Sequence, residues 1–182
     1  MKLLILTASL VLATMSSLIA QNNSPGFASS SNSKKAQSQF EGMQPMPFQA
    51  FDMNGNTHFL PEYKGKVVVI AFWATGDETS RQQIKSLNRV KREFSSEEVA
   101  VISFAEEDKS DLVSFLKNNK IEYPVIPNSK HLGEIGYGGD LGTSRIFILD
   151  KKGMVQKVII TKNEEVMGTY NTMKPIIKDL MR

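Results

Sequence analysis

The chain of 182 residues contains no cysteine. That absence excludes Cys-ligated zinc, iron–sulfur clusters, thiol nucleophiles, dithiol redox chemistry and a lipid anchor attached through cysteine. Charge of one sign is scarce too. Lys and Arg number 22 against 19 Asp and Glu, a net of +3, and no basic run exceeds two residues, so nothing points to nucleic acid. No apolar run reaches the roughly 20 residues that a membrane span needs. What is present, 41% apolar and 23% charged residues, is the composition of an ordinary globular domain. A chain of this length buries roughly two-thirds of its unfolded surface, enough for a core without disulfides or a structural metal.

Residues 1–20 read as a cleavable signal peptide: Lys2 gives the positive start, Leu3 to Ala13 the short apolar stretch, and Ser16 to Ala20 a cleavage region ending in a small residue. The implied location is periplasmic or secreted, with no membrane association beyond export. Residues 21–46 are rich in Ser, Asn and Gln and carry few large apolar side chains, so they are expected to form a flexible tether. The folded domain is expected over 47–182.

Within that domain, Phe48 to Phe51 and Thr57 to Leu60 flank Asn54-Gly55, which predicts a β-hairpin. Val67 to Trp73 is a continuous apolar, β-branched run, the mark of a strand covered on both faces. Thr75-Gly76-Asp77-Glu78 has the form of a capping box, with Thr75 as the cap, and Ile84, Leu87, Val90 and Phe94 follow at helical spacing. A strand over Val99 to Phe104 and a helix over Ser110 to Asn118 come next, so parallel pairing with right-handed crossovers is predicted. Gly133 to Gly142 reads as a loop. Arg145 to Asp150 and Met154 to Thr161 read as strands joined by a tight turn. A closing helix carries Val166, Tyr170, Met173, Ile177 and Leu180, with Gly168 and Pro175 expected to bend or shorten it. The fold class is therefore α/β, a central mixed sheet flanked by helices with an N-terminal hairpin.

This order resembles the thioredoxin fold, and the local sequence narrows the resemblance. Phe48-x-Ala-x-Asp-x-Asn-Gly-Asn, Tyr63-Lys-Gly-Lys-Val-Val-Val, Phe72-Trp73-Ala74-Thr75, Tyr123-Pro124-Val125 and Phe147-Ile-Leu-Asp-x-x-Gly are similar to the TlpA-like thiol–disulfide oxidoreductases of the redoxin (AhpC/TSA) superfamily. The resemblance covers about residues 45–182. It implies a Cys-x-x-Cys dithiol at the positions held here by Asp77 and Ser80, an acid in the central strand at Ala71, and a cis-proline at Ser144. All four features of that one reaction are missing. A carboxylate and a hydroxyl can neither attack a disulfide nor resolve a mixed one. The Thr143–Ser144 peptide bond is expected to be trans, because a non-proline cis bond costs about 2.5–4 kcal/mol.

Other chemistry at the replaced site has little support. Asp77 and Glu78 are accounted for as acids at a helix N-terminus. With Ser80 and His131 they fall short of the oxygen count that calcium or magnesium wants, and His58 and His131 are read as lone surface or satisfied residues. Ser80 lacks a nucleophile elbow and a predictable histidine partner. Glu106-Glu107-Asp108 reads as a solvated loop leading to a helix cap. No metal and no cofactor is expected.

What remains is recognition. In the parent fold the groove beside the first helix tip receives extended polypeptide through backbone hydrogen bonds. The corresponding surface here is expected to involve Trp73, Gly76, Asp77, Glu78, Thr143 and Ser144. The expected function is a non-catalytic module binding a protein or peptide in the cell envelope, as a monomer. The alternatives are an oxidoreductase family member active only with a thiol-bearing partner, and a purely structural paralogue.

Overall fold

The computed structural model describes residues 39–138, 144–160 and 169–182. The proposed signal peptide and most of the tether lie outside the described residues. β1 (Gln49–Phe51) and β2 (Thr57–Phe59) form the antiparallel hairpin, with Asp52 Oδ1 accepting from the N–H groups of Asn54 and Asn56, both at 2.9 Å. A single 3₁₀ turn at Leu60–Tyr63 leads to β3 (Val67–Trp73), whose seven residues are all buried.

α1 (Glu78–Glu93), β4 (Val99–Ala105), α2 (Lys109–Asn118) and β5 (Val125–Ile126) follow, then α3 (Lys130–Gly136), β6 (Arg145–Leu149), β7 (Val155–Ile160) and α4 (Thr169–Met181). The main sheet runs β5-β4-β3-β6-β7. β3 pairs in parallel with β4 and antiparallel with β6, so the central run of β-branched residues is flanked by a strand on each side. The fold is thioredoxin-like, a mixed sheet flanked by helices, as its resemblance implied.

Alternation along β3 divides the core. Val68, Ile70 and Phe72 pack with Phe48, Phe104, Tyr137 and Phe147. Val67, Val69 and Ala71 pack with Leu87 and Val90 of α1 and with Tyr170, Met173 and Ile177 of α4. Full burial of side chains of this kind contributes roughly 1.5–3 kcal/mol each.

Three expectations need correction. The tether does not extend to Met46: Phe40 packs edge-on against Phe147 with ring centroids 5.5 Å apart, Gly42 N–H donates to Val155 O at 2.7 Å, and Val155 N–H donates to Met43 O at 2.9 Å. The start of the expected glycine loop is the helix α3, in which Gly133 lies against the Phe72 ring and the Arg145 guanidinium, where a Cβ would collide. Glycine here serves close packing rather than a turn. α4 also runs through Pro175 without ending. The apolar face that packs Tyr170, Met173 and Ile177 outweighs one lost backbone hydrogen bond. Val166 and Gly168 fall outside the described residues.

Candidate functional site

β3 delivers the chain to the tip of α1, where the resemblance places the family's dithiol. α1 starts later than the capping box implied. Asp77 is its N-cap, and Asp77 Oδ1 accepts from Thr79 N–H at 3.0 Å. Thr75 is engaged elsewhere, because its N–H and its hydroxyl both donate to Glu107 Oε1, at 2.6 and 2.7 Å. The acidic run before α2 is therefore not wholly solvated. Glu107 ties the β4–α2 loop to the approach of α1, while Asp108 caps α2 through a bond from Asp111 N–H at 3.0 Å.

Asp77, Ser80 and Ser144, where the resemblance implies cysteine, cysteine and proline, are brought together. Ser80 Oγ donates to Asp77 Oδ2 at 2.9 Å, Ser144 Oγ donates to the same oxygen at 2.8 Å, and the two hydroxyl oxygens lie 2.8 Å apart. Ser80 Oγ also accepts from Ala74 N–H at 3.2 Å. Two hydroxyl protons serve three short contacts around an ionised carboxylate, so the serines share their donors within the cluster. Ser80 and Ser144 are buried. Burial opposes ionisation of Asp77, but the hydrogen bonds from Ser144, Ser80 and Thr79 together outweigh it, and its carboxyl is held below the usual carboxylate range.

This arrangement stabilises a helix start and offers little chemistry. A carboxylate with a depressed pKa is a poor general base for Ser80. His58 is committed on the hairpin, where its ring nitrogens meet Tyr63 Oη at 2.6 Å and Asp52 Oδ2 at 3.2 Å. His131 is exposed near the start of α3. Among the described residues no group of three His, Asp or Glu converges as a metal site would require.

Trp73 is withdrawn from the expected binding surface. It is fully buried with Ile84, Leu112 and Val125, and its ring lies 5.4 Å from that of Phe115, so no ligand can stack on it. Ala71, where the resemblance implies an acid in the central strand, is also fully buried, between Ser103 of β4 and Ile146 of β6. Thr143 lies outside the described residues, and the Thr143–Ser144 bond with it. Gly76 and Glu78 are exposed, and Glu78 pairs with Arg81 one turn along the helix.

Arg145 was missed in the sequence. Directly after Ser144 it is buried, its Nε–H donating to Tyr137 O at 2.8 Å and its guanidinium standing 4.7 Å over the Phe72 ring. The signal available was a cation opening an otherwise apolar strand.

Comparison with known proteins agrees with this geometry. The AhpC/TSA family profile matches residues 42–158. The chain is 27% identical over 141 residues to the thioredoxin-like protein YneN of Bacillus subtilis, covering 72% of this chain and 80% of that one. It is 26% identical over 133 residues to the thiol-disulfide oxidoreductase ResA of Geobacillus thermodenitrificans, covering 70% and 75%. In structure it is similar to a thioredoxin-family thiol:disulfide interchange protein from Chlorobium tepidum (TM-score 0.64, 21% identity, 78% and 98% covered). It is also similar to the exposed lipoprotein thioredoxin Etrx1 of Streptococcus pneumoniae (TM-score 0.62, 20% identity, 74% and 100% covered). With the profile spanning more than half of its length and its sequence relatives named for thiol–disulfide chemistry, the chain belongs to the AhpC/TSA family, on its TlpA-like redoxin side, as a member without cysteine.

Proposed function

We propose that the protein is an exported, non-catalytic thioredoxin-fold module that holds an extended protein or peptide segment at the tip of α1 in the cell envelope. The observation that carries this reading is the closed cluster of Asp77, Ser80 and Ser144. The polar atoms at the three replaced positions satisfy one another, and the scaffold that positions them is kept. Gly76 and Glu78 are the most exposed of the described residues at the tip, so recognition would use exposed backbone and one acid rather than a reacting side chain.

Gly76 supplies a clean test. Nothing lies within 4 Å of a Cβ placed there, and its φ is not in the left-handed region, so Gly76→Arg should fold normally while obstructing the tip. The probe is a fluorescently labelled, reduced and carboxymethylated polypeptide followed by anisotropy. Binding by the wild type and a loss of roughly tenfold or more in Gly76→Arg, about 1.4 kcal/mol, is expected. Equal affinity of the two proteins would remove the α1 tip as the binding surface. Trp73→Ala is unsuitable for this purpose because it would empty the core.

A further inference from the structure

At the opposite end of β3 the molecule holds a cavity of about 370 Å³, within the size range of small-molecule sites, about 300–1,000 Å³. Its lining includes Val68 of β3 and Leu149 of β6, both buried. Leu60, Pro61 and Tyr63 of the 3₁₀ turn form one wall, and Pro45 and Pro47 belong to the incoming chain. Five residues of strand, roughly 17 Å, separate Val68 from Trp73, so this is not the α1 tip.

The wall is built rather than incidental. Tyr63 is held through its hydroxyl by His58 Nδ1, and His58 Nε2 by Asp52, which is anchored in turn by Asn54 and Asn56. With Nε2–H given to Asp52, Nδ1 accepts the Tyr63 O–H. This Asp–His–Tyr chain serves no step at the α1 tip, and it fixes the orientation of the aromatic face on the cavity.

The cavity's charge has one sign. Lys64 and Lys152 both line it. They sit on two turns tied to each other, because Gly65 N–H donates to Lys151 O at 2.8 Å. Lys151 is committed to Met181 O, whereas neither Lys64 nor Lys152 has a side-chain partner among the described residues. Asp150, the acid of the second turn, is taken up by Lys152 N–H, Met154 N–H and the Gln156 amide, and Glu62 of the first turn is exposed and has no ion pair among the described residues. Two ammonium groups on adjoining turns repel each other, and an anion between them would turn that repulsion into attraction. An apolar interior under a cationic rim is complementary to a molecule with an apolar body and a carboxylate head.

We propose that this cavity binds a free amphiphilic carboxylate of short to medium chain length, its apolar body against Val68, Leu149 and Tyr63 and its carboxylate paired with Lys64 and Lys152. The inference is independent of the proposed peptide surface.

The test is calorimetric titration of the full chain with octanoate, octanol and acetate, together with amide shift mapping by NMR and co-sedimentation with vesicles of phosphatidylcholine and phosphatidylglycerol. Octanoate should bind with one site per chain and shift Lys64, Val68 and Lys152 while leaving Gly76 and Glu78 unmoved. Octanol and acetate should each bind at least tenfold more weakly, and Lys64→Gln/Lys152→Gln, which alters exposed side chains only, should lose octanoate by a similar factor. No octanoate binding, equal binding by the double variant, or capture only by phosphatidylglycerol vesicles would overturn the proposal.

Discussion

The two ends of β3 carry opposite kinds of surface. At the Trp73 end, Asp77, Ser80 and Ser144 engage one another, Thr75 is bonded to Glu107, and Trp73 lies under α1 and α2. At the Val68 end, Lys64 and Lys152 line an open cavity with no partner for their charge among the described residues. The first end is where the resemblance places the family's reaction, and there the carboxylate of Asp77 and the hydroxyls of Ser80 and Ser144 bond one another, while Trp73 Nε1 and Glu107 Oε2 are buried without a partner among the described residues. The second has no part in that reaction, yet its charge and space are uncommitted. In this cysteine-free chain the hydroxyls and the carboxylate at one end of the strand bond each other, whereas the lysines at the other end are left facing open space.

The contrast is sharpened by removing atoms from the closed end. Trp73→Ala should give the largest effect, about 3–5 kcal/mol of destabilisation in urea unfolding, because a fully buried indole packed on Phe115, Ile84 and Leu112 leaves a cavity. A cost under about 1 kcal/mol would mean that the end is looser than the packing shows.

Asp77→Ala should be smaller, about 0.5–2 kcal/mol at pH 7, from loss of the N-cap. Its pH dependence has a definite sign. The folded-state pKa of Asp77 is lowered against the unfolded one, so its stabilisation is present above the ordinary carboxylate value, about 4, and is lost as pH falls through the folded value. Urea unfolding at pH 7 and at about pH 3 should therefore show the gap between wild type and Asp77→Ala narrowing on acidification. A gap that widens would place the carboxylate in a different role from the one its hydrogen bonds indicate.

Much of the fold was legible because the core elements follow strong local patterns. Val67 to Trp73 could only be a doubly covered strand, and Ile84, Leu87 and Val90 marked the buried face of α1. The errors arose where long-range contacts override local signals. Thr75 has the residue type of a cap, but Glu107, 32 residues away in the chain, takes both of its donors and the cap moves to Asp77. Gly133 looked like loop punctuation and is instead a packing site for Arg145 and Phe72, pairings invisible to local reading. Phe40 looked like a stray aromatic in a polar tether until Phe147 of β6 supplied its partner. The resemblance pointed to Asp77, Ser80 and Ser144 as residues to inspect. It could not show their mutual hydrogen bonds, because Ser144 comes from β6's approach, 64 residues beyond Ser80.

The most direct measurement is reduction of insulin by dithiothreitol, followed as turbidity, with the wild type beside Asp77→Cys/Ser80→Cys. The wild type should leave the uncatalysed rate unchanged, since it contains no thiol to form the mixed disulfide, while the double variant, with a thiol at a helix N-terminus, should accelerate it. Acceleration by the wild type would contradict the account at its centre.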